Sequence, residues 1–266
     1  MPPSLQLLRN DADARRYLRR TLVLTLGIHA MLAASLAGLV SPWLFPVLLP
    51  LAYVRLSLSL HELMHVRAAS RVSWFHRLAM IFDTPLGLGY REHRAIHLAH
   101  HRYAASARDP ELYQIRGSHL HAFAWALMAP EHAALDWVRR HGAAPALRRG
   151  AFVRAACFVA LLAWNPAVFV AYWLTLRACI GCSSFLFHHL LHSRDGALGH
   201  FALPAAVLRC MPLARALFGV EPIIIVRDHR VHHAYPGVRA LDLPALVDEG
   251  AVARAAAPSL VPAVVR

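Results

Sequence analysis

Residues 43–65 read WLFPVLLPLAYVRLSLSLHELMH, in which Trp43 to Leu60 is apolar apart from Arg55 and passes directly into the pair His61 and His65. About 20 consecutive apolar residues let a helix cross a bilayer, and the break at Ser41-Pro42 gives this one a start. Upstream, Thr21 to Val40 forms a second apolar run, preceded by Arg9, Arg15, Arg16, Arg19 and Arg20. The two runs predict a helical hairpin turning near Ser41-Pro42. Arginine in excess before the first helix favours a cytoplasmic N-terminus, so the second helix returns His61 and His65 to the cytoplasmic side.

The pattern recurs downstream. Ala151 to Ala163 and Ala167 to Leu191 are apolar and separated by Trp164-Asn165-Pro166, a turn signal carrying an interfacial aromatic. The first arm is short and could begin near Ala143. The second ends in His188-His189-Leu-Leu-His192, on the same predicted side as His61. Residues 66 to 150 are richer in Arg and His, with amphipathic stretches such as His119 to Met128 that suit the membrane interface. Pro222 to Val226 is apolar but too short to span, which places it and the following histidines in a cytoplasmic cap.

The expectation is an all-α, integral membrane helical bundle of about four spanning helices, arranged as two hairpins under a cap. The chain divides into an Arg-rich N-terminus (1–20), a membrane domain (21–240) and a C-terminal tail (241–266) rich in Ala, Val and Pro.

Composition agrees. Hydrophobic residues make up 58% of the 266, and the mean hydropathy is +0.42. The formal charge of +13 is all arginine, because no lysine occurs; this excludes lysine Schiff-base chemistry and a P-loop. The arginines flank apolar runs and form no stripe interleaved with aromatics, which argues for membrane orientation and against nucleic acid. The first twenty residues are too polar for a cleavable signal peptide, so the first helix is expected to stay in the membrane. Cys157, Cys179, Cys182 and Cys210 read as packing residues.

Histidine carries the chemistry. Of 19 histidines, the eleven at 61 and 65, at 97, 100 and 101, at 188, 189 and 192, and at 229, 232 and 233 fall in four tight groups. Imidazoles four apart on a helix share a face and reach one metal. Any one pair alone is more often a surface or capping feature, but the topology brings four groups to one membrane face. Eight or more nitrogen donors exceed what one tetrahedral zinc uses, whereas two six-coordinate ions employ most of them. The candidate ligands are His61, His65, His97, His100, His101, His188, His192, His229, His232 and His233. His189 projects about 100° away from His188 on an ideal helix and reads as structural; His93 reads as a flanking residue. Glu62, Asp109 and Asp228 are the candidates for orienting imidazoles from behind, with Glu92 and Asp195 weaker ones and Asp228 the most inviting. His61-Glu62-x-x-His65 also fits a zinc protease motif with Glu62 as general base, a reading that leaves six downstream histidines unused.

His61-Glu-Leu-Met-His65, His97-Leu-Ala-His-His101 and His229-Arg-Val-His-His233 resemble the three histidine boxes HxxxH, HxxHH and HxxHH of the membrane fatty acid desaturase family. The spacing between the first two boxes, residues 66–96, is more similar to desaturases and alkane hydroxylases than to the sterol group. Asp109-Pro-Glu111 and Ala234-Tyr-Pro-Gly237 resemble the family's surroundings, and the likeness covers about residues 20 to 240. In the family a further histidine on the last membrane helix completes the metal shell, often with an Asn four positions earlier. Here His188 or His192 would supply the histidine, and Ser184 stands where that Asn would be.

The resemblance implies two non-haem iron ions, O2 as co-substrate, and desaturation of a fatty acyl lipid, with hydroxylation or carotenoid ketolation as the alternative outcome of the same chemistry. It also implies a separate electron donor of ferredoxin, rubredoxin or cytochrome type and a bacterial inner-membrane location. A non-catalytic metal sensor or store is the rival of another class.

Overall fold

A computed structural model describes residues 11–66 and 86–248. Arg9, residues 67–85 of the predicted cap and residues 249–266 of the predicted tail lie outside the described residues. Apart from a hairpin of two-residue strands, Ser193–Arg194 (β1) and Ala197–Leu198 (β2), the regular structure is helical.

Helix α1 (Asp11–Leu36) begins ten residues before the apolar run, so several of its arginines are helical. They do more than set orientation: Arg16 and Arg20 lie 3.0 and 2.6 Å from the Glu221 carboxylate, and the Tyr17 hydroxyl donates to it over 3.2 Å. Gly38, at φ +74°, closes the helix, with the Leu39 N–H donating to Ala34 O, a six-to-one bond that only a left-handed residue permits cheaply. Ser41 caps a single 3-10 turn, Pro42–Leu44, and α2 (Phe45–Met64) follows. The predicted hairpin break is therefore where the sequence put it.

Between the first hairpin and the second come α3 (Tyr90–Tyr103), α4 (Leu112–Ile115), α5 (His119–Leu127) and α6 (Ala129–His141). That hairpin is α7 (Pro145–Trp164) and α8 (Pro166–Ser184). The short first arm thus starts close to Ala143, and the Asn165 side chain caps α8 by accepting from Val168 N–H. α8 continues through one π turn, Phe185–Leu190. After the hairpin come α9 (Ala205–Arg209), α10 (Met211–Phe218), α11 (Val220–Arg227), α12 (His229–Ala234) and α13 (Leu243–Asp248).

The core joins α1, α2 and α8 through Ile28, Leu32, Phe45, Leu49, Leu56, Leu60, Tyr172, Leu176 and Ile180. Phe45 and Tyr172, each near the start of its helix, meet edge to face at 5.5 Å, so α2 and α8 run in the same direction and end together. α7 is peripheral: its one buried side chain is Arg154, while Phe152, Val159 and Trp164 face outward. Apolar side chains such as Leu26, Trp43, Val47 and Leu174 are also exposed, the reverse of a water-soluble surface.

Two helices, Pro42–Met64 and Pro166–Leu190, are long and apolar enough to cross a membrane. α1 and α7 carry arginines into their lengths. α5 lies across α8 with Ala122 and Ala126 buried, and a Cβ on Gly181 would come within 2.5 Å of the Leu127 side chain. A side chain at 181 would have to displace the Leu127 side chain, while the Leu127 backbone would stay at 3.6 Å. Residues after 240 also belong to the packed unit as far as α13, because Leu243 and Leu246 are buried against Leu58, Ile225 and Val238.

Candidate metal centre

Four helix ends converge. α2 presents His61 on its last turn and His65 at its C-cap; α3 presents His97, His100 and His101; α12 presents His229, His232 and His233; the end of α8 and the residue pair after it present His188 and His192. On a helix the first and fifth residues of HxxHH lie 40° apart while the fourth is turned 60° the other way. Each such box therefore straddles two positions.

The structure divides them in that way. At the first position His65 Nε2 and His97 Nε2 are 2.9 Å apart, His97 and His101 Nε2 3.2 Å, and His61 and His232 Nε2 3.1 Å. At the second, His229 Nε2 lies 3.1 Å from His192 Nε2 and 3.1 Å from His233 Nε2, and His100 closes a group with His192 and His233. The positions are adjacent, since the His101 and His233 rings stack at 4.2 Å.

These separations test whether metals fit. Nitrogens bound at about 2.1 Å to one ion sit about 3.0 Å apart at right angles and about 3.4 Å apart in a tetrahedron. Contacts of 2.9–3.2 Å match right-angled, higher-coordinate ions. Burial pushes the His97, His229 and His233 imidazoles well below their ordinary range, reinforced by neighbouring imidazoles, and takes His192 down to about 2. They are neutral at pH 7, with lone pairs free for a cation. The Nδ1 atoms of His229 and His233 are buried without a hydrogen-bond partner among the described residues. The donor set is compatible with metal binding.

The supporting carboxylates divide differently from the sequence expectation. Asp109 accepts from His100 Nδ1 at 2.9 Å and also from the Ala105 and Glu111 N–H groups, each at 2.8 Å. Glu62, fully buried, sits 3.3 Å from His61 Nδ1, behind the imidazole. Asp228, the most inviting candidate, is instead paired with Arg227 at 2.7 and 2.9 Å. Glu92, third residue of α3, folds back over the Gly89 N-cap, and Asp195 occupies the β1–β2 turn at φ +50°. His192 Nδ1 donates to Gly199 O over 2.9 Å. His189 donates to Ile115 O and meets His119 at 2.7 Å, the structural role expected of it. Because outer partners set ligand geometry, Asp109→Asn should weaken metal affinity at the second position about 10–100-fold, read as metal content of the purified protein; unchanged content would remove Asp109 from that role.

Three residues of the centre were not among the candidate ligands. His200 packs against His192 and His233 at 4.8 and 4.7 Å between ring centres, and burial lowers it to about 4. His93, read as flanking, lines the central cavity, where its burial, the Glu111 charge and the His188 charge act on it. Glu111 lies 3.1 Å from His188 Nε2 and 3.9 Å from His100 Nδ1. The one sequence signal was Glu111's place in Asp-Pro-Glu two residues after Asp109.

The centre opens into a cavity of about 230 Å³, lined by Leu58, Leu60, Leu176, Ile180, Phe187 and Ile225 among others. Such a twin-histidine centre, at the common end of two apolar helices and beside an apolar cavity, defines a helical membrane protein of the histidine-box metal type. Residues 37–262 match the family model for fatty acid desaturases, and the chain belongs to that family. No curated protein and no solved structure matches it.

Proposed function

We propose that this protein is an oxygen-dependent, di-iron fatty acyl desaturase of a bacterial inner membrane. The observation that carries this reading is the division of nine imidazoles into two adjacent Nε2 clusters facing one apolar cavity. In overall balance, a –CH2–CH2– unit, O2, two electrons and two protons become –CH=CH– and two waters.

Two irons, when bound, supply the redox chemistry that activates O2. His61, His65, His97, His101 and His232 would hold one; His100, His192, His229 and His233 would hold the other. The chain's own residues do the rest. Asp109 fixes His100 in the tautomer whose Nε2 faces the metal position, and Glu62 acts likewise on His61. The cavity follows α2 from Tyr53 to Met64, about 16 Å of helix, and its apolar wall suits an extended acyl chain held with successive methylenes beside the centre. Leu58, Ile180 and Phe187 exclude water, which keeps a reactive centre from bulk protons.

Electrons come from a separate donor of ferredoxin, rubredoxin or cytochrome type, and an arginine-rich face favours an acidic one. The arginine distribution favours a cytoplasmic histidine end. A sided label on a cysteine introduced at Gly38 should then report the outer face; labelling from the cytoplasm overturns that orientation.

Mass spectrometry of lipids from expressing cells tests the reaction. Loss of two hydrogens from an acyl chain supports desaturation, gain of oxygen assigns hydroxylation or ketolation instead, and no oxygen consumption with reductant and lipid present leaves only metal storage.

A further inference from the structure

The outward apolar side of α2 stops halfway along the helix. Val47 and Leu48 are exposed, and Arg55 is exposed further on. Past Arg55 the helix is enclosed: Leu56, Leu58, Leu60, Leu63 and Met64 are buried. From Phe45 to Arg55 is about 15 Å of helix, half of the ~30 Å of hydrocarbon that a bilayer presents. A bilayer that covers the whole apolar length of α2 therefore also reaches what encloses its second half.

α10 lies there. The Arg55 guanidinium donates to Leu217 O at 3.1 Å and to Phe218 O at 3.4 Å, carbonyls that the end of a helix leaves without intrahelical partners. Backbone carbonyls are a usual partner for an arginine held at membrane depth. α10 is itself two-faced. Leu213 and Leu217, about 40° apart around its axis, are 64% and 43% exposed. Arg215, turned about 160° from each, is exposed on the opposite side, and Met211, Ala214 and Phe218 between the two faces are half-buried. An apolar face and a basic face on either side of a protein-facing flank suit a helix lying in the plane of a membrane surface. Leu208 of α9 and Val220 of α11 are exposed on either side of it.

We propose that α10 is a membrane-docking surface, lying in the plane of the leaflet on the histidine side, with Leu213 and Leu217 among acyl chains, Arg215 among headgroups and Arg55 bonded to its end. The inference rests on the reading of α2 as a spanning helix and extends membrane contact to a segment outside both hairpins. Lipid is the occupant that fits. The exposed leucines of α10 continue the exposed side of α2 through Arg55, and residues 201–220 carry two arginines and no acidic residue, which suits anionic headgroups. α11 follows directly and supplies Pro222 and Ile225 to the cavity wall, so docking of α10 sets that wall at the level of the acyl chains.

Full-length protein with its four native cysteines replaced by alanine, reconstituted in phosphatidylethanolamine–phosphatidylglycerol vesicles, provides the test through nitroxide labels on Val47→Cys, Leu213→Cys and Arg215→Cys. Power-saturation spectra compare collision with O2, which concentrates among acyl chains, and with a nickel chelate, which stays in water. The ratio of O2 to nickel accessibility at position 213 should match that at 47 and exceed that at 215 several-fold. A label at 213 that meets the chelate as freely as the one at 215 overturns the docking while α2 still spans. Shielding from both probes, which a protein partner would produce, overturns it as well. If the label at 47 also meets the chelate, the spanning of α2 fails first and the inference with it. Should the cysteine-free chain not fold, a photoreactive benzoylphenylalanine at position 213 of the otherwise unaltered chain gives the answer in the same vesicles. Adducts with phospholipid are expected; adducts with protein, or none where position 47 yields lipid adducts, overturn the proposal.

Discussion

Replacing His100 with alanine is expected to abolish product formation and to remove one of two metals while leaving the other. His100 is 3% exposed and is the hinge of the second position. Its ring lies 5.2, 5.1 and 5.0 Å from those of His188, His192 and His233 and 6.0 Å from that of His101. Deleting it removes a nitrogen donor from the corner that two donor groups share. It also leaves the Asp109 carboxylate buried without its imidazole, although two backbone N–H groups still hold it, so the loss should fall on the metal more than on the fold. Turnover should drop by more than about 1000-fold if redox chemistry needs both ions, since removal of members of an interdependent catalytic set is strongly non-additive. Lipid mass spectrometry together with metal analysis of the purified variant reads both effects. Retained desaturation, or loss of both metals with retained fold, would refute the division into two positions.

Arg177→Met should be the most destabilising change away from the metals. Arg177 sits in α8 with its guanidinium bonded to the Glu131 carboxylate of α6, to Leu127 O at 3.1 Å, and stacked over Trp173 at 5.0 Å. Both side chains are largely buried, at 8% and 14% exposure. Removing one partner of such a pair leaves an uncompensated charge and costs about 3–5 kcal/mol, while replacing both with apolar groups is close to neutral. Arg177→Met is therefore expected to lower the unfolding midpoint in detergent sharply, and Arg177→Met combined with Glu131→Leu to recover most of it. The same pair pins α6, which supplies Ala129, Pro130 and Ala133 to the cavity wall, so the single variant should lose activity before it loses metal. Equal stability of the single and double variants would show that the pair does not fasten α6 to α8.

Much of the molecule was legible because its signals are local. Apolar runs bounded by Ser41-Pro42 and Asn165-Pro166 mark two helical hairpins, since proline and a capping side chain act on the residues beside them. Histidines at i and i+4 mark metal-binding helix faces for the same reason. Less legible was whatever depends on distant partners. The arginines before the first apolar run read as orientation signals, yet two of them also clamp Glu221, 205 and 201 residues away. Asp228 read as the support of its neighbour His229, but Arg227 claims the carboxylate and His229 Nδ1 has no hydrogen-bond partner among the described residues. The π turn at Phe185–Leu190, which sets where His188, His189 and His192 point, has no signature in residue type.

The sequence by itself determined a helical membrane chain of the desaturase family and picked out histidines that the fold gathers together, because periodicity, hydropathy and box spacing act over a few residues. Only the tertiary structure decided how those imidazoles group in space, which carboxylates stand behind them, and that Glu111 lies beside His188. Those outcomes follow from helix ends meeting across more than a hundred residues of chain, where a contact of 3 Å depends on packing that no local pattern encodes.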